Sequence, residues 1–170
     1  GSDGLYHAKG DGILLQVLSA SRDNLDRVRQ GNVTGTRFSD FDLVGFRTAI
    51  HLSSSNINGT TGSVPFINSN QFHNFAIKGC VNGIHLESDT QVQQEVSNSV
   101  GISTNFQRRN QLNQNKFDNF YIQPVAAKDN SRTAIVNDGQ KNFFTNFTIW
   151  DWQAKYLNTG SVYFNQLVYR

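Results

Sequence analysis

Residues 70–79 read NQFHNFAIKG, and the phrase returns as NKFDNFYIQP at 115–124 and NFFTNFTIWD at 142–151. Two Phe stand three apart, and an Ile follows the second by two. That spacing fits neither the period of two of a strand nor the 3.6 of a helix. Extended backwards, four copies align: VTGTRFSDFDL at 33–43, INSNQFHNFAI at 67–77, LNQNKFDNFYI at 112–122 and GQKNFFTNFTI at 139–149. The shared pattern is apolar, Asn/Thr/Gln, free, Asn/Thr, free, Phe, free, Asn/Asp, Phe, free, Ile/Leu. Gly35 and Lys141 fall in the free third slot. A degraded fifth copy reads LNTGSVYFNQL at 157–167, with Leu157, Val162 and Leu167 at the first, sixth and eleventh slots.

A second phrase follows at constant distance. Twelve residues separate Phe38 from Ile50 in TAIHLSS, and twelve separate Phe72 from Ile84 in NGIHLES. TAIVND follows the third copy, and DGILLQV at 11–17 is the same phrase with its first half cut away. The chain is therefore an array of units of 27 to 45 residues, each holding two short strands. Units this short cannot bury a face alone and must stack. Antiparallel hairpins would put Asn-Gly turns at regular places. Asn58-Gly59 and Asn82-Gly83 do not recur in register, which favours a parallel stack over an antiparallel sandwich. Only RDNLDRVRQ, residues 22–30, has helical character.

One bend per copy repairs the broken alternation. With Phe72 inward, strict period two would send Phe75 outward. A bend at Asp40, Asn74, Asn119 and Asn146 lets both Phe and the following Ile or Leu point inward. Asn and Asp are the non-Gly residues that best tolerate a left-handed backbone. Stacked Asn side chains can also hydrogen-bond from one copy to the next.

With those residues in place, the chain resembles the right-handed parallel β-helix of pectate lyases, pectinases and bacteriophage tailspikes. The resemblance rests on the bend residues, with Phe38, Phe72, Phe117 and Phe144 on one side and Phe41, Phe75, Phe120 and Phe147 on the other. It covers roughly residues 11–170 and implies an all-β fold, a β-solenoid of about five coils with variable loops. Gly1-Ser2 read as an expression scar, and 3–170 as one β-helix domain, a fragment of a longer chain. The tailspike resemblance implies a homotrimer, a virion or extracellular location and a cell-surface polysaccharide as ligand.

Composition narrows the function classes. In 170 residues, 15 Lys and Arg stand against 13 Asp and Glu, and 16% of residues are charged. That balance gives no electrostatic case for nucleic acid. No run of 18 apolar residues exists to span a membrane. The single Cys80 allows no internal disulfide. Thirteen Phe against two Pro favour strands over a disordered chain.

Chemistry is sought on the outward stripes: Ser39, His73, Asp118, Thr145; Asp42, Ala76, Tyr121, Thr148; Val44, Lys78, Gln123, Trp150; and Leu14, His51, His85, Val136. A glycosidase needs two carboxylates flanking the scissile bond, and no stripe holds two acids. The weak catalytic candidates are Asp118 with His73, and Asp151. Trp150 and Trp152 alternate around Asp151, and two indoles beside a carboxylate suit a sugar ring. Tyr121 and the Arg108-Arg109 pair of the 87–111 insertion complete the carbohydrate-binding set. Tyr121, Trp150 and Tyr163 could also lie between chains of a trimer. His51 and His85, without a carboxylate or Cys partner, make a poor metal site; no metal and no cofactor are expected. Asn32, Asn58 and Asn146 head sequons expected by chance in an Asn-rich chain, and a buried Asn146 would be a poor glycan acceptor. The sequence thus points to a tailspike or tail appendage fragment that binds host carbohydrate, more than to the alternative, a polysaccharide hydrolase or lyase. A shaft without a ligand is the third class.

Overall fold

The computed structural model describes residues 10–18, 32–55, 66–88, 112–124, 133–139 and 141–150, with strand backbone at 155–158, 162–164 and 167–169. The described residues are all-β, with parallel strands in three sheets. The first sheet joins β2 (Asn32–Thr34), β5 (Phe66–Asn68) and β8 (Leu112–Asn113). The second joins β3 (Arg37–Val44), β6 (Gln71–Cys80), β9 (Lys116–Pro124) and β11 (Asn142–Ile149), with β13 (Val162–Phe164) and β14 (Leu167–Tyr169) both on β11. The third joins β1 (Asp11–Leu18), β4 (Thr48–Ser55), β7 (Asn82–Ser88), β10 (Thr133–Asn137) and β12 (Lys155–Asn158). Every pairing is parallel, and equivalent residues of successive copies stand opposite one another, as Phe38↔Phe72 and Phe72↔Phe117 do. The antiparallel alternative is ruled out by this pairing.

In-register pairing converts each recurrent position into a column. Phe38, Phe72, Phe117 and Phe144 stack with ring centroids 4.9, 4.8 and 5.0 Å apart. Phe41, Phe75, Phe120 and Phe147 stack at 5.1, 5.0 and 4.8 Å. These separations match the ~4.8 Å between neighbouring strands, so each ring lies over the next with no lateral slip. Ile50, Ile84 and Ile135 of the third sheet face the same core and are buried.

The bends fall where the sequence put them. Asp40, Asn74, Asn119 and Asn146 have φ of 59°, 52°, 52° and 50°. One left-handed residue turns the chain so that Phe72, Phe75 and Ile77 are all buried. Because every copy carries the same turn, pairing resumes in register on its far side.

Two further features lay in the pattern without a role assigned. The free third slot is a second left-handed corner: Gly35, Ser69, Gln114 and Lys141 have φ of 70°, 56°, 56° and 53°. The fourth slot is a buried amide ladder. Asn70, Asn115 and Asn142 are fully buried. Asn142 Oδ1 accepts from the Asn115 backbone N–H at 3.0 Å and from its Nδ2 at 3.1 Å. Asn115 Oδ1 accepts from the same two groups of Asn70 at 3.2 and 3.0 Å, and Asn70 Oδ1 from the Thr36 N–H at 3.0 Å. Each Nδ2 also donates to a backbone carbonyl of the preceding copy: Val33, Ile67 and Leu112 in turn. Asn142 Nδ2 also donates to Asn137 Oδ1 at 2.9 Å, and at neighbouring Gly139 a Cβ would collide with the Leu112 carbonyl.

The structure corrects the fifth copy. Val162 stands opposite Asn142 and Leu167 opposite Phe147, two residues from the register expected. A slip of two keeps every side chain on its original face, so alternation alone could not have set it. Residues 157–158 belong instead to β12, on the third sheet. The helical stretch at 22–30 lies outside the described residues.

Candidate functional site

The outer face of the second sheet carries a groove of about 600 Å³ that crosses β3, β6, β9 and β11. Four strands span about 14 Å at the usual spacing. One wall is the bend column, Asp40, Asn74, Asn119 and Asn146. The floor is the stripe Asp42, Ala76, Tyr121 and Thr148, over the buried ring of Phe75. Ala76 leaves a depression between Asp42 and Tyr121, its register neighbours on β3 and β9.

The wall is an exposed amide ladder. Asn74 Nδ2 donates to Asp40 Oδ1 at 2.6 Å, and Asn119 Nδ2 to Asn74 Oδ1 at 3.1 Å. The bond from Asn74 holds the Asp40 carboxyl below its usual range, with a second bond from Ser39 acting in the same direction. The ladder breaks at its fourth member: Asn146 Nδ2 donates to Asp118 Oδ1 at 3.0 Å, not to Asn119. Asn146 is exposed, so burial does not bar the sequon it heads.

Beyond the floor runs the stripe Val44, Lys78, Gln123 and Trp150. Lys78 Nζ lies 2.7 Å from Asp42 Oδ2, and this bond and charge raise the lysine's pKa. Tyr121 Oη donates to Gln123 Oε1 at 2.7 Å. Trp150 is 49% exposed and Val44 60%. The Trp150 indole meets the Tyr121 ring edge to face, centroids 6.3 Å apart at 70°. Two of the sequence-derived carbohydrate candidates, Tyr121 and Trp150, thus form one aromatic corner on the β9–β11 side: Tyr121 lines the groove, and Trp150 stands beside it on the adjoining stripe. Asp151, Trp152, Arg108 and Arg109 lie outside the described residues, as does the 89–111 part of the insertion.

On the other side of the bend column, His73 Nδ1 lies 3.1 Å from Asp118 Oδ2. Asp118 also accepts from Thr145 Oγ1 and Asn146 Nδ2. Burial pushes its pKa up. The bonds from Thr145 and Asn146, the Lys116 charge and His73 outweigh that, and the net direction is down. These donors hold Asp118 as the carboxylate.

The third sheet's outer face holds a cluster that the sequence reading missed. His51 Nδ1 lies 3.0 Å from Asp11 Oδ2, and His51 Nε2 lies 3.2 Å from Glu87 Oε2. His51 therefore has carboxylate partners, contrary to the expectation from the stripe. Glu87 stands opposite Ser53, two residues along from His51 on the same face, and reaches the ring diagonally. His85 stacks on His51 at 5.2 Å. Burial lowers the His85 pKa, and the neighbouring His51 lowers it further, against Glu87, Asp11 and Asp138. The two carboxylates sit on opposite sides of one ring and do not converge; among the described residues no group of three or more His, Cys, Asp or Glu is arranged to hold a metal ion. No helix among the described residues is long and apolar enough to cross a membrane.

No protein-family model, curated protein or solved structure matches the chain.

Proposed function

We propose that the chain is a fragment of a right-handed parallel β-helix of about five coils, from a bacteriophage tailspike or tail appendage, that binds host-surface carbohydrate as a homotrimer on the virion. The observation that carries the reading is the groove beside the bend column, with an amide wall and an aromatic corner at Tyr121 and Trp150. Sugar rings present apolar faces and a rim of hydroxyls. Exposed aromatic rings take the faces, and amide and hydroxyl side chains take the rim. Asn74, Asn119, Tyr121 and Thr148 supply that chemistry: Tyr121 and Thr148 are paired on both sides, and Asn74 and Asn119 stand at bends between paired residues.

The test is co-electrophoresis through gels containing purified bacterial lipopolysaccharides and capsular polysaccharides. At least one polysaccharide retards the wild type, and Tyr121→Ala with Trp150→Ala abolishes the retardation. Unretarded migration across the whole panel overturns the reading. The trimer is tested by light scattering at micromolar concentration, where a monomer contradicts it.

A second reading, a polysaccharide hydrolase or lyase, draws on Asp11 and Glu87 flanking His51 on the third sheet. Both acids lie within hydrogen-bond distance of that one ring. Release of reducing ends or unsaturated uronates, lost in Glu87→Gln, would establish it.

A further inference from the structure

We infer that the groove selects uncharged glycan segments and rejects acidic ones. The inference rests on the carbohydrate-binding reading above and adds the class of sugar. Three observations carry it.

First, the described lining carries two carboxylates, Asp40 and Asp42, and no cation. The bond from Asn74 keeps Asp40 ionised. Lys78, on the adjoining stripe, is committed to Asp42 at 2.7 Å. An anionic sugar laid along the floor meets the uncompensated Asp40 and must compete with Asp42 for the lysine. At a few ångströms each like-charge contact is repulsive even in water.

Second, the break in the exposed ladder leaves an acceptor open. Asn119 Nδ2 is used on Asn74, while Asn146, the residue placed to serve Asn119, turns to Asp118. Among the described residues no donor reaches Asn119 Oδ1. Asp40, Asp42 and Asn119 therefore offer acceptor oxygens along the groove. Sugar hydroxyls donate to acceptors; a carboxylate or sulfate group cannot.

Third, the aromatic corner stands beside the β9–β11 half of the groove, away from Asp40 on β3. A glycan with one ring on Tyr121 and Trp150 extends across β9 and β6 toward β3, over Ala76. That path brings its hydroxyls past Asn119 before it reaches the carboxylates.

The experiment titrates the wild type with two sets of purified bacterial surface polysaccharides, one neutral and one bearing uronic acids or sulfate. The expected result is binding within the neutral set, at least tenfold tighter than any acidic member. Affinity for the neutral ligand should change less than twofold as salt rises until the screening length falls from about 10 to 3 Å. Ala76→Trp, which fills the depression, should remove neutral binding while leaving the thermal unfolding midpoint in place. Asp42→Lys, which reverses the charge on an exposed floor position, should gain affinity for the acidic set. Acidic polysaccharide bound as tightly as neutral overturns this inference and leaves the carbohydrate reading standing. Binding that Ala76→Trp does not touch also overturns it, by removing the groove as the site. Silence of both sets overturns the carbohydrate reading itself.

Discussion

Two asparagine ladders run through this molecule a few residues apart, and they do different work. Asn70, Asn115 and Asn142 are buried, and each amide satisfies both its own polar atoms and the backbone of a neighbouring copy. Asp40, Asn74, Asn119 and Asn146 are exposed, bond along one line, and break before the end. The same residue type serves as an internal staple in one place and as a groove wall in the other. Burial decides the difference. An amide in the core must find every partner, because an unmet polar group there costs about 1–3 kcal/mol. An amide at the surface has water as a fallback, so one rung can be lost without penalty and left for a ligand.

The largest expected effect comes from breaking the buried ladder. Asn115→Ala leaves the Asn70 N–H and one of the two Asn70 amide hydrogens unmet and takes one donor from the Ile67 carbonyl. At about 1–3 kcal/mol per group, the loss should be roughly 3 kcal/mol or more, read from urea unfolding midpoints. A loss below about 1 kcal/mol would mean that the ladder is not sealed from water. The matching change outside is Asn119→Gly, which keeps the left-handed backbone open to the residue. It should cost under about 1 kcal/mol and weaken polysaccharide binding.

The third sheet sharpens the contrast between buried and exposed polar groups by pH. His85 is held below its ordinary value of 6.5, chiefly by burial. The folded chain therefore binds fewer protons than the unfolded chain near and below that value. Stability is full above it and falls as pH drops through the lower folded-state value. His85→Gln should flatten this part of the stability profile. A profile for the variant that still falls equally would move the cause to another group.

The smallest expected effect lies at the second left-handed corner. Ser69, Gln114 and Lys141 occupy it with φ near the value of Gly35. Gln114→Gly relieves an unfavourable backbone at the expense of a more flexible unfolded chain. The net change should be a gain of up to about 1 kcal/mol, seen as a higher unfolding temperature. A lower temperature would show that the glutamine side chain contributes more than its backbone costs.

Much of the architecture was legible because it repeats. Parallel register copies each position into a column, so Phe38, Phe72, Phe117 and Phe144 announce one another in the sequence and stack in space. The bend at Asn74 was legible because it broke the alternation of its neighbours. The corner at Gln114 was not, since Gly, Ser, Gln and Lys share no chemistry; only the backbone imposes that slot. The buried ladder was present as a recurrent Asn or Thr, but its role was hidden, because recurrence alone does not separate a buried amide from an exposed one. The fifth copy was misregistered because, without its aromatic pattern, a slip of two leaves each face unchanged. Of the candidate site, Tyr121 and Trp150 were singled out on two neighbouring stripes, and their contact across those stripes was not foreseen. Ala76 was passed over because a small residue contributes space instead of contacts. The Asp11–His51–Glu87 contact was missed because stripes were read straight along the stack, and this contact is diagonal.

The central claim is that the exposed ladder and its aromatic corner form a carbohydrate site on a frame held by the buried ladder. Titration of wild type, Tyr121→Ala and Asn115→Ala with a retained neutral bacterial polysaccharide tests it most directly, with unfolding followed on the same samples. The account predicts that Tyr121→Ala loses binding at unchanged stability, while Asn115→Ala loses stability and keeps binding wherever it is folded. Undiminished binding by folded Tyr121→Ala would contradict it.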